Sequence, residues 1–211
     1  MGDECKGVWM VEEVKSEKFK IILASQSPRR RELLAGLGIP FEVRVIEDID
    51  EHFPEQLPAS ETALYIAKRK AEAYRGQIAD DELIITADTV VIVGDEILGK
   101  PADEADALRM LRLLSGRTHQ VTTGVCLMTT KVQRSFDVTT DVTFKTLTDE
   151  EIMYYVNRYK PFDKAGAYGI QEWIGYIGVT GLHGSYYNVM GLPVQRIYTE
   201  LQAFGLSAIA D

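Results

Sequence analysis

The chain has 211 residues and a formal net charge of -9, from 23 Lys and Arg against 32 Asp and Glu. Its 45% hydrophobic and 26% charged residues are ordinary for a globular protein and exclude disordered and fibrous classes. The length favours one domain, or two lobes that share a core, and the acidic balance argues against a nucleic-acid-coating surface. A small anionic ligand in a local basic pocket remains compatible with this composition.

The chain carries no signal for secretion or for membrane insertion. Cys5 and Cys126 are too few for a disulfide framework and predict reduced thiols. No apolar run approaches the ~20 residues of a membrane span. Residues 1–18 are polar and acidic and lack the apolar core of a signal peptide. We therefore expect residues 1–18 to be an N-terminal extension and residues 19–211 to form a single domain. These features predict a cytoplasmic protein without a membrane or nucleic-acid partner.

The first half of the chain alternates between strand and helix patterns. Residues 19–24 are short, apolar and β-leaning, and Ser27 followed by Pro28 predicts a helix start, with Gly36 or Gly38 at its end. Further predicted elements are a strand at 41–46, a helix at 60–75, a strand at 83–93 and an amphipathic helix at 103–114. The run 83–93 is almost continuously apolar, as expected for a central strand covered on both faces.

The second half is richer in hairpins. Residues 121–129 and 135–147 alternate and predict a pair of antiparallel strands. Thr148 and Glu151 form a capping box for a helix to about Arg158. Predicted last are a hairpin of strands 170–180 and 185–190 and a helix that begins at Pro193. The order of elements indicates an α/β fold with a mixed, elongated β-sheet flanked by helices, and suggests a bilobed form with a cleft between the lobes.

Three arginines occupy the first turn of the first predicted helix. Arg29, Arg30 and Arg31 oppose the helix dipole, which favours anions at that end. A bound phosphate would remove this conflict, because free N–H groups and guanidinium groups both bind phosphate oxygens. The alternative is a solvated basic turn in which an arginine pairs with Glu32 or another carboxylate.

One carboxylate, Asp88, interrupts the apolar run 83–93. A carboxylate in a covered strand is costly unless it is paired, hydrogen-bonded or bound to a metal. It is either a strand-end residue that caps a turn, or a general base or metal ligand on a rigid element.

Lysines and acidic residues elsewhere suit the same chemistry. Lys70 lies at the edge of the apolar stripe of its helix, and Lys100 lies in a Gly-Lys-Pro turn. Each alone is an ordinary surface lysine, but with the arginines they would complete a triphosphate pocket. Asp48, Asp50 and Glu51 form either a solvated acidic loop or a source of Mg²⁺ ligands beside phosphate oxygens.

Gln171 carries an amide that can read a base edge through its paired donor and acceptor, although a polar surface role is the plainer interpretation. His52, His119 and His183 lack metal-ligand spacing and are expected in loops or on the surface.

Several sequence blocks follow one another along the chain after Lys18, namely LASQSPRR at 23–30, ADTV at 87–90, GKP at 99–101, LSGRTH at 114–119, DKAGAYGIQ at 163–171 and GLP at 191–193. With these blocks in this order, the chain after Lys18 resembles the Maf family of nucleoside triphosphate pyrophosphatases. The resemblance implies hydrolysis of a nucleoside triphosphate between the α and β phosphates, to the monophosphate and pyrophosphate. Within the family, the chain is similar to the branch that acts on dTTP and UTP, and modified pyrimidine nucleotides are further expected substrates.

The resemblance also implies roles for individual residues. It makes Asp88 the catalytic acidic residue and Glu51 a second acidic position, with both expected to hold Mg²⁺ or Mn²⁺. The implied phosphate-binding residues are Ser27, Arg29, Arg30, Lys70 and Lys100. The implied specificity positions are Arg29, Thr89 and Gln171. The chain departs from the family in its N-terminal extension and in Glu172-Trp173-Ile174, where relatives have smaller residues.

A different class of function is a regulatory module linked to cell division that binds nucleotides without hydrolysing them. Such a module would keep the arginine turn but would not need an acid in the central strand, so Asp88 favours the enzyme. A phosphatase that releases orthophosphate is a second enzymatic alternative. We expect a nucleoside triphosphate as the small-molecule partner, and a homodimer is plausible at this size.

Overall fold

The structure is a computed structural model that describes residues 19–206. The predicted extension 1–18, with Cys5, lies outside the described residues. The strands are β1 (Lys20–Leu23), β2 (Phe41–Val43), β3 (Glu82–Val93), β4 (Glu96–Leu98), β5 (Thr118–Met128), β6 (Gln133–Phe144) and β7 (Val179–His183). The helices are α1 (Pro28–Ala35), α2 (Ala59–Tyr74), α3 (Glu104–Leu114), α4 (Asp149–Tyr159), α5 (Trp173–Gly178), α6 (Tyr186–Val189) and α7 (Val194–Gln202). No helix in this range is long and apolar enough to cross a membrane.

The strands form one mixed seven-stranded sheet, which confirms the predicted α/β class. The order is β2-β1-β3-β5-β6-β7, with β4 also paired to β3. β1 pairs in parallel with β2 and β3, whereas the pairings of β3 with β4 and β5, of β5 with β6 and of β6 with β7 are antiparallel. β3 is the central strand, as its apolar sequence predicted.

One edge of β3 opens in its middle. β1 pairs with β3 as far as Ile85, and β4 pairs with it from Val91 onward. The intervening residues 86–90 have β5 on their other side but no strand of the described residues on this side. Asp88 lies at the centre of this gap, which therefore forms a crevice in an otherwise continuous sheet.

Two hydrophobic clusters lie on either side of the gap. One packs α1 and α7 against β1 and the first half of β3, with Leu34 and Ile197 fully buried. The other packs α3, α4 and α5 against the second half of β3, with Leu111 and Tyr155 fully buried. The clusters give two lobes on one shared sheet, with the crevice at Asp88 between them.

Helix α2 lies close to the sheet because β5 carries a glycine beneath it. A Cβ atom on Gly124 would lie 2.3 Å from the backbone nitrogen of Leu64 and 2.4 Å from the carbonyl carbon of Ala63. Gly124 pairs with Asp88 across the sheet. The glycine therefore sets the distance between α2 and the strand that carries the acid.

The predicted hairpin at 170–190 is wrong. Residues 173–178 form α5, and β7 pairs with β6 rather than with a strand at 185–190, where Ser185 caps α6. The reason is the spacing of apolar residues: Trp173, Ile174 and Ile177 all contact the core, as one helix face requires, whereas Tyr176 is 80% exposed.

The expectation that His119 lies on the surface is also wrong. The ring is buried, its Nε2 lies 2.7 Å from the Tyr168 hydroxyl, and its edge packs on Phe144. His52 and His183 are exposed, as expected. His119 is the second residue of β5, between the polar residues Thr118 and Gln120, and these polar neighbours concealed its inward orientation.

Candidate active site

The opening in the sheet leads into a cleft with a volume of about 960 Å³. Its walls come from the start of α1, the segment after β2, the middle of α2, the centre of β3 and the segments at 163–171 and 189–191. Every residue predicted for the site lines it, namely Ser27, Arg29, Arg30, Glu51, Lys70, Asp88, Thr89, Lys100 and Gln171. Residues up to 144 positions apart in sequence therefore meet in one place.

Two carboxylates in the cleft share one ammonium group. The Nζ of Lys70 lies 2.7 Å from Asp88 Oδ1 and 2.9 Å from Glu51 Oε1. The side chains of Lys70 and Asp88 are each 14% exposed, so the pair is largely shielded but still open to the cleft. Asp50 instead pairs with Arg69 at 2.7 Å. The acidic segment thus places Glu51 beside Lys70 and Asp88, and Asp48 also lines the cleft.

This pair of carboxylates fits the ligand set of a hard divalent cation. Both oxygens already converge on a single positive charge, the Lys70 ammonium. Within residues 19–206 no group of three or more His, Cys, Asp or Glu side chains is arranged to hold a metal ion. Mg²⁺ commonly takes one or two carboxylates and completes its shell with water and substrate phosphates. Asp88 and Glu51 would therefore supply the protein's share of such a site.

The start of α1 faces the cleft with its anion-binding features intact. The Ser27 hydroxyl accepts a hydrogen bond from the Arg30 backbone N–H at 3.4 Å, and Pro28 occupies the first turn. No acidic residue lies in that turn to offset the helix dipole. Arg29 reaches across the cleft to Asp163 Oδ2 at 2.7 Å. The predicted pairing of an arginine with a carboxylate thus occurs, but with Asp163 and not with Glu32.

Arg30 joins three parts of the cleft wall. Its guanidinium group donates to the carbonyl oxygens of Gly191 at 2.9 Å and Ala87 at 2.8 Å, and to Thr89 Oγ1 at 3.0 Å. Ala87 and Thr89 lie on the open edge of β3, so the arginine takes the place of the missing strand partner. Burial lowers the pKa of Arg30, and the nearby Asp88 opposes this effect. Two of its five N–H donors remain for a ligand.

Lys100 and Gln171 stand at the other side of the cleft. Lys100 is exposed, and its turn is tied to the opposite segment by a hydrogen bond from the Gly166 N–H to the Gly99 carbonyl at 3.0 Å. The Gln171 amide oxygen is buried and has no hydrogen-bond partner among residues 19–206. A buried acceptor without a partner is costly, so a ligand that donates to it would gain affinity.

Three charged residues near the cleft carry contacts that sequence reasoning did not assign. Asp163 accepts hydrogen bonds from Arg29 at 2.7 Å and from Lys164 at 2.9 Å. Burial alone would raise the pKa of Asp163, but these two cations outweigh it and lower the pKa to about 2. Lys164 also lies 3.1 Å from Glu172. The sequence indication for Asp163 and Lys164 was their place at the start of the block 163–171, to whose first two residues sequence reasoning gave no role.

The cations that neighbour Arg30 and Lys70 in sequence do not reach the cleft. Arg31, Lys68 and Arg69 do not line its walls. Successive residues of a helix point in different directions around its axis. Arg31 therefore points away from Arg29 and Arg30 on α1. In the same way, Lys68 and Arg69 point away from Lys70 on α2. Only some of the basic residues in each run therefore line the cleft.

Comparison with known proteins identifies the family of the chain. A family model described as Maf-like protein matches residues 20–204. A protein of Phocaeicola vulgatus named dTTP/UTP pyrophosphatase is 63% identical over 186 residues, which are 88% of this chain and 96% of that protein. Proteins with the same name from Parabacteroides distasonis (59% identity, 92% and 100% covered) and Bacteroides thetaiotaomicron (55%, 88% and 96%) are also similar. With matches of this extent, the chain belongs to the Maf family.

Proposed function

We propose that this protein is a nucleoside triphosphate pyrophosphatase that hydrolyses dTTP and UTP between the α and β phosphates. The observation that carries the proposal is the cluster of Asp88, Glu51 and Lys70 beside the helix start at Ser27. It combines a candidate base, a cation position and a phosphate-binding helix end within one cleft. The names of the relatives support the same substrates and the same reaction.

The phosphate end of the substrate lies between the α1 start and the cleft lysines. Arg29, Lys70 and Lys100 each present donors to the cleft, and the free N–H groups of the first turn of α1 add a partial positive charge. These groups stabilise the charge that develops on the bridging and terminal oxygens as the anhydride breaks.

The hydrolytic step requires a water molecule to lose a proton. The water oxygen bonds to a phosphorus of the α–β anhydride, the bridging P–O bond breaks, and the water proton passes to a base. Asp88 sits on a rigid strand at the centre of the cleft and is the carboxylate placed to accept that proton. Lys70 holds the carboxylate in position before substrate enters, and its ammonium can then transfer to phosphate oxygens.

We further propose that Asp88 and Glu51 hold Mg²⁺ or Mn²⁺ together with phosphate oxygens. A divalent cation would neutralise phosphate charge and polarise the anhydride when bound. Lys70 occupies the space between the same carboxylates in the structure, so displacement of its ammonium by phosphate would free them.

Recognition of the base falls to Gln171. Thymine and uracil present an N3–H donor beside a carbonyl acceptor, and a glutamine amide can accept from the first and donate to the second. The unpartnered Gln171 oxygen is available for this N3–H. Thr89 and Arg29 also line the cleft and are the other two specificity positions.

One assay tests the proposal. Purified protein is incubated with Mg²⁺ or Mn²⁺ and a panel of pyrimidine and purine triphosphates, including modified pyrimidines, and pyrophosphate and orthophosphate are measured separately. We expect pyrophosphate and monophosphate in equal amounts, fastest from dTTP and UTP. Release of orthophosphate would identify a phosphatase, and tight binding without turnover would identify a nucleotide-sensing module.

The predicted homodimer and cytoplasmic location stay predictions. Sedimentation at micromolar protein tests the first, and fractionation of the native host cell tests the second. Neither result bears on the chemistry of the cleft.

A further inference from the structure

The turn that carries Gln171 is fastened at both ends by one buried tyrosine. Tyr155 of α4 is fully buried, and its hydroxyl accepts a hydrogen bond from the Gly169 N–H at 3.0 Å. The same hydroxyl donates to the Glu172 carboxylate. A bond of 3.0 Å from the Glu172 N–H to the Gly169 carbonyl closes the turn. Gln171 therefore lies between two anchored residues.

A chain of charged contacts links this turn to the phosphate side of the cleft. The second oxygen of Glu172 lies 3.1 Å from the Lys164 ammonium, which lies 2.9 Å from Asp163. Asp163 holds Arg29 at 2.7 Å. The side chains of Lys164 and Glu172 are only 10% and 20% exposed, so the contact between them is shielded from solvent, whereas the Asp163 side chain is 55% exposed. Glu172 thus joins the base side and the phosphate side of the cleft.

The orientation of Gln171 decides which pyrimidine it can bind. Uracil and thymine present a donor at N3, whereas cytosine presents an acceptor at N3 beside an amino donor. A glutamine amide that rotates freely satisfies either pattern, and one held by its surroundings satisfies one. Discrimination between UTP and CTP therefore requires that the turn at 169–172 be rigid.

We propose that Tyr155 and Glu172 are positioning residues of the base site, which fix the Gln171 turn for uracil and thymine and exclude cytosine. Neither residue lines the cleft, so each acts through neighbours that do: Tyr155 through the turn of Gln171, and Glu172 through that turn and through Lys164. The inference rests on the proposed function, since it names the groups that set the base preference of the same site. Glu172 belongs to the segment in which this chain departs from the family pattern.

The test compares UTP with CTP in Tyr155→Phe, Glu172→Ala and Glu172→Gln. We expect the first two to raise KM for UTP about tenfold with kcat within a factor of about two, and to lower the UTP/CTP ratio of kcat/KM about tenfold. Glu172→Gln keeps an acceptor for the tyrosine and is expected to retain most of the selectivity. Binding of α,β-imido-UTP and α,β-imido-CTP, measured by calorimetry, gives the same ratio without turnover.

Glu151→Gln is the matched control. Glu151 lies one turn before Tyr155 on α4, where it caps the helix and pairs with Lys145 at 2.7 Å, away from the cleft. This variant loses stability without a change in the UTP/CTP ratio if the inference holds.

Two results would overturn the inference. The first is an unchanged UTP/CTP ratio in folded Tyr155→Phe and Glu172→Ala, and the second is a fall in kcat at constant KM. If Tyr155→Phe does not fold, the UTP/CTP ratios of the two Glu172 variants test the inference. If the wild-type protein binds the UTP analogue but releases no pyrophosphate, the proposed function is wrong. The ratio of UTP-analogue to CTP-analogue binding in the variants would still test whether Tyr155 and Glu172 are positioning residues.

Discussion

Asp88 is the residue on which the proposed chemistry depends most directly. Replacing it with Asn preserves its size and an oxygen that can accept from Lys70, but removes the ability to take a proton. We expect Asp88→Asn to lower kcat by a factor of about 100 or more. The measurement is steady-state release of pyrophosphate from UTP.

Asp137→Asn is the matched control for this change, because Asp137 is an exposed carboxylate on β6, which is separated from β3 by β5. It should keep the wild-type rate. A wild-type rate in folded Asp88→Asn would remove Asp88 from the proton-transfer role.

Lys70 and a divalent cation compete for the same pair of carboxylates. Lys70→Met leaves Asp88 and Glu51 without their shared ammonium. We expect the free variant to bind Mn²⁺ about tenfold more tightly than wild type, because two uncompensated carboxylates attract a cation, and to bind UTP more weakly. Electron paramagnetic resonance titration of Mn²⁺ measures the first effect without turnover.

Lys68→Met makes the same change on the exposed face of α2 and should leave Mn²⁺ binding unaltered. Equal Mn²⁺ affinities in Lys70→Met and wild type would contradict the assignment of the two carboxylates as metal ligands.

Single residues were predictable where their chemistry conflicted with their surroundings. Asp88 in an apolar strand and Arg29 at a helix start are conflicts that can be read locally, and both residues line the cleft. The partner of Arg29 was not predictable, because Asp163 lies 134 positions away and only the fold brings them together. The inward orientation of His119 was missed for the same reason.

At the scale of elements, the contact between α2 and the sheet determines where Lys70 lies. Gly124→Ala would place a methyl group against the backbone at Ala63 and Leu64, which cannot yield as a side chain can. We expect a loss of about 2–3 kcal/mol, a fall in Tm on the order of 5–10 °C, and about a tenfold loss of kcat/KM as Lys70 moves from Asp88. Calorimetry and the pyrophosphate assay measure both effects.

Gly76→Ala is the control, because a Cβ atom at Gly76 meets nothing within 4 Å. It should leave Tm and activity near wild type. A Gly124→Ala variant with wild-type Tm would show that α2 can shift without cost, and the argument from close packing would fail.

Elements with strong local signals were predictable, and those defined by tertiary contacts were not. Ser27 and Thr148 cap α1 and α4 as expected, because capping is decided within four residues. The segment 170–190 failed because its β-branched and aromatic residues favour strands, whereas packing on the core makes 173–178 helical. Strand propensity depends on what a strand packs against, and here tertiary packing outweighed it.

At the scale of the whole molecule, the net charge of -9 conceals a balanced cleft. The charged residues of its lining are five cations and five carboxylates, namely Arg29, Arg30, Lys70, Lys100 and Lys164 with Glu47, Asp48, Glu51, Asp88 and Asp163. The excess negative charge therefore lies elsewhere. Composition excluded a nucleic-acid-coating surface, but only the fold could show that the cations of four distant segments meet beside the acids.

Two separate pH windows should govern the stability of the molecule. Burial lowers the pKa of His119 to about 4, from an ordinary value near 6.5. Between these two pH values the unfolded chain binds a proton at His119 that the folded chain does not bind. Stability is therefore lost as the pH falls from about 6.5 to about 4. A hydrogen bond from Arg44 lowers the pKa of the buried Glu82 to about 2, so its contribution is lost only at lower pH, from about 4.5 to about 2.

We expect the free energy of unfolding, from urea titrations, to fall by about 2 kcal/mol between pH 7 and pH 5 in wild type through His119. His119→Gln keeps a partner for the Tyr168 hydroxyl but cannot take the proton, so its stability should be nearly constant over that range. Glu82→Gln should show the wild-type fall above pH 5 and a weaker dependence than wild type below pH 4.5, because it removes one of the carboxylates whose pKa is lowered by the fold. An equal slope between pH 7 and pH 5 in His119→Gln and wild type would mean that His119 can be protonated within the folded core, in spite of its burial against Phe144.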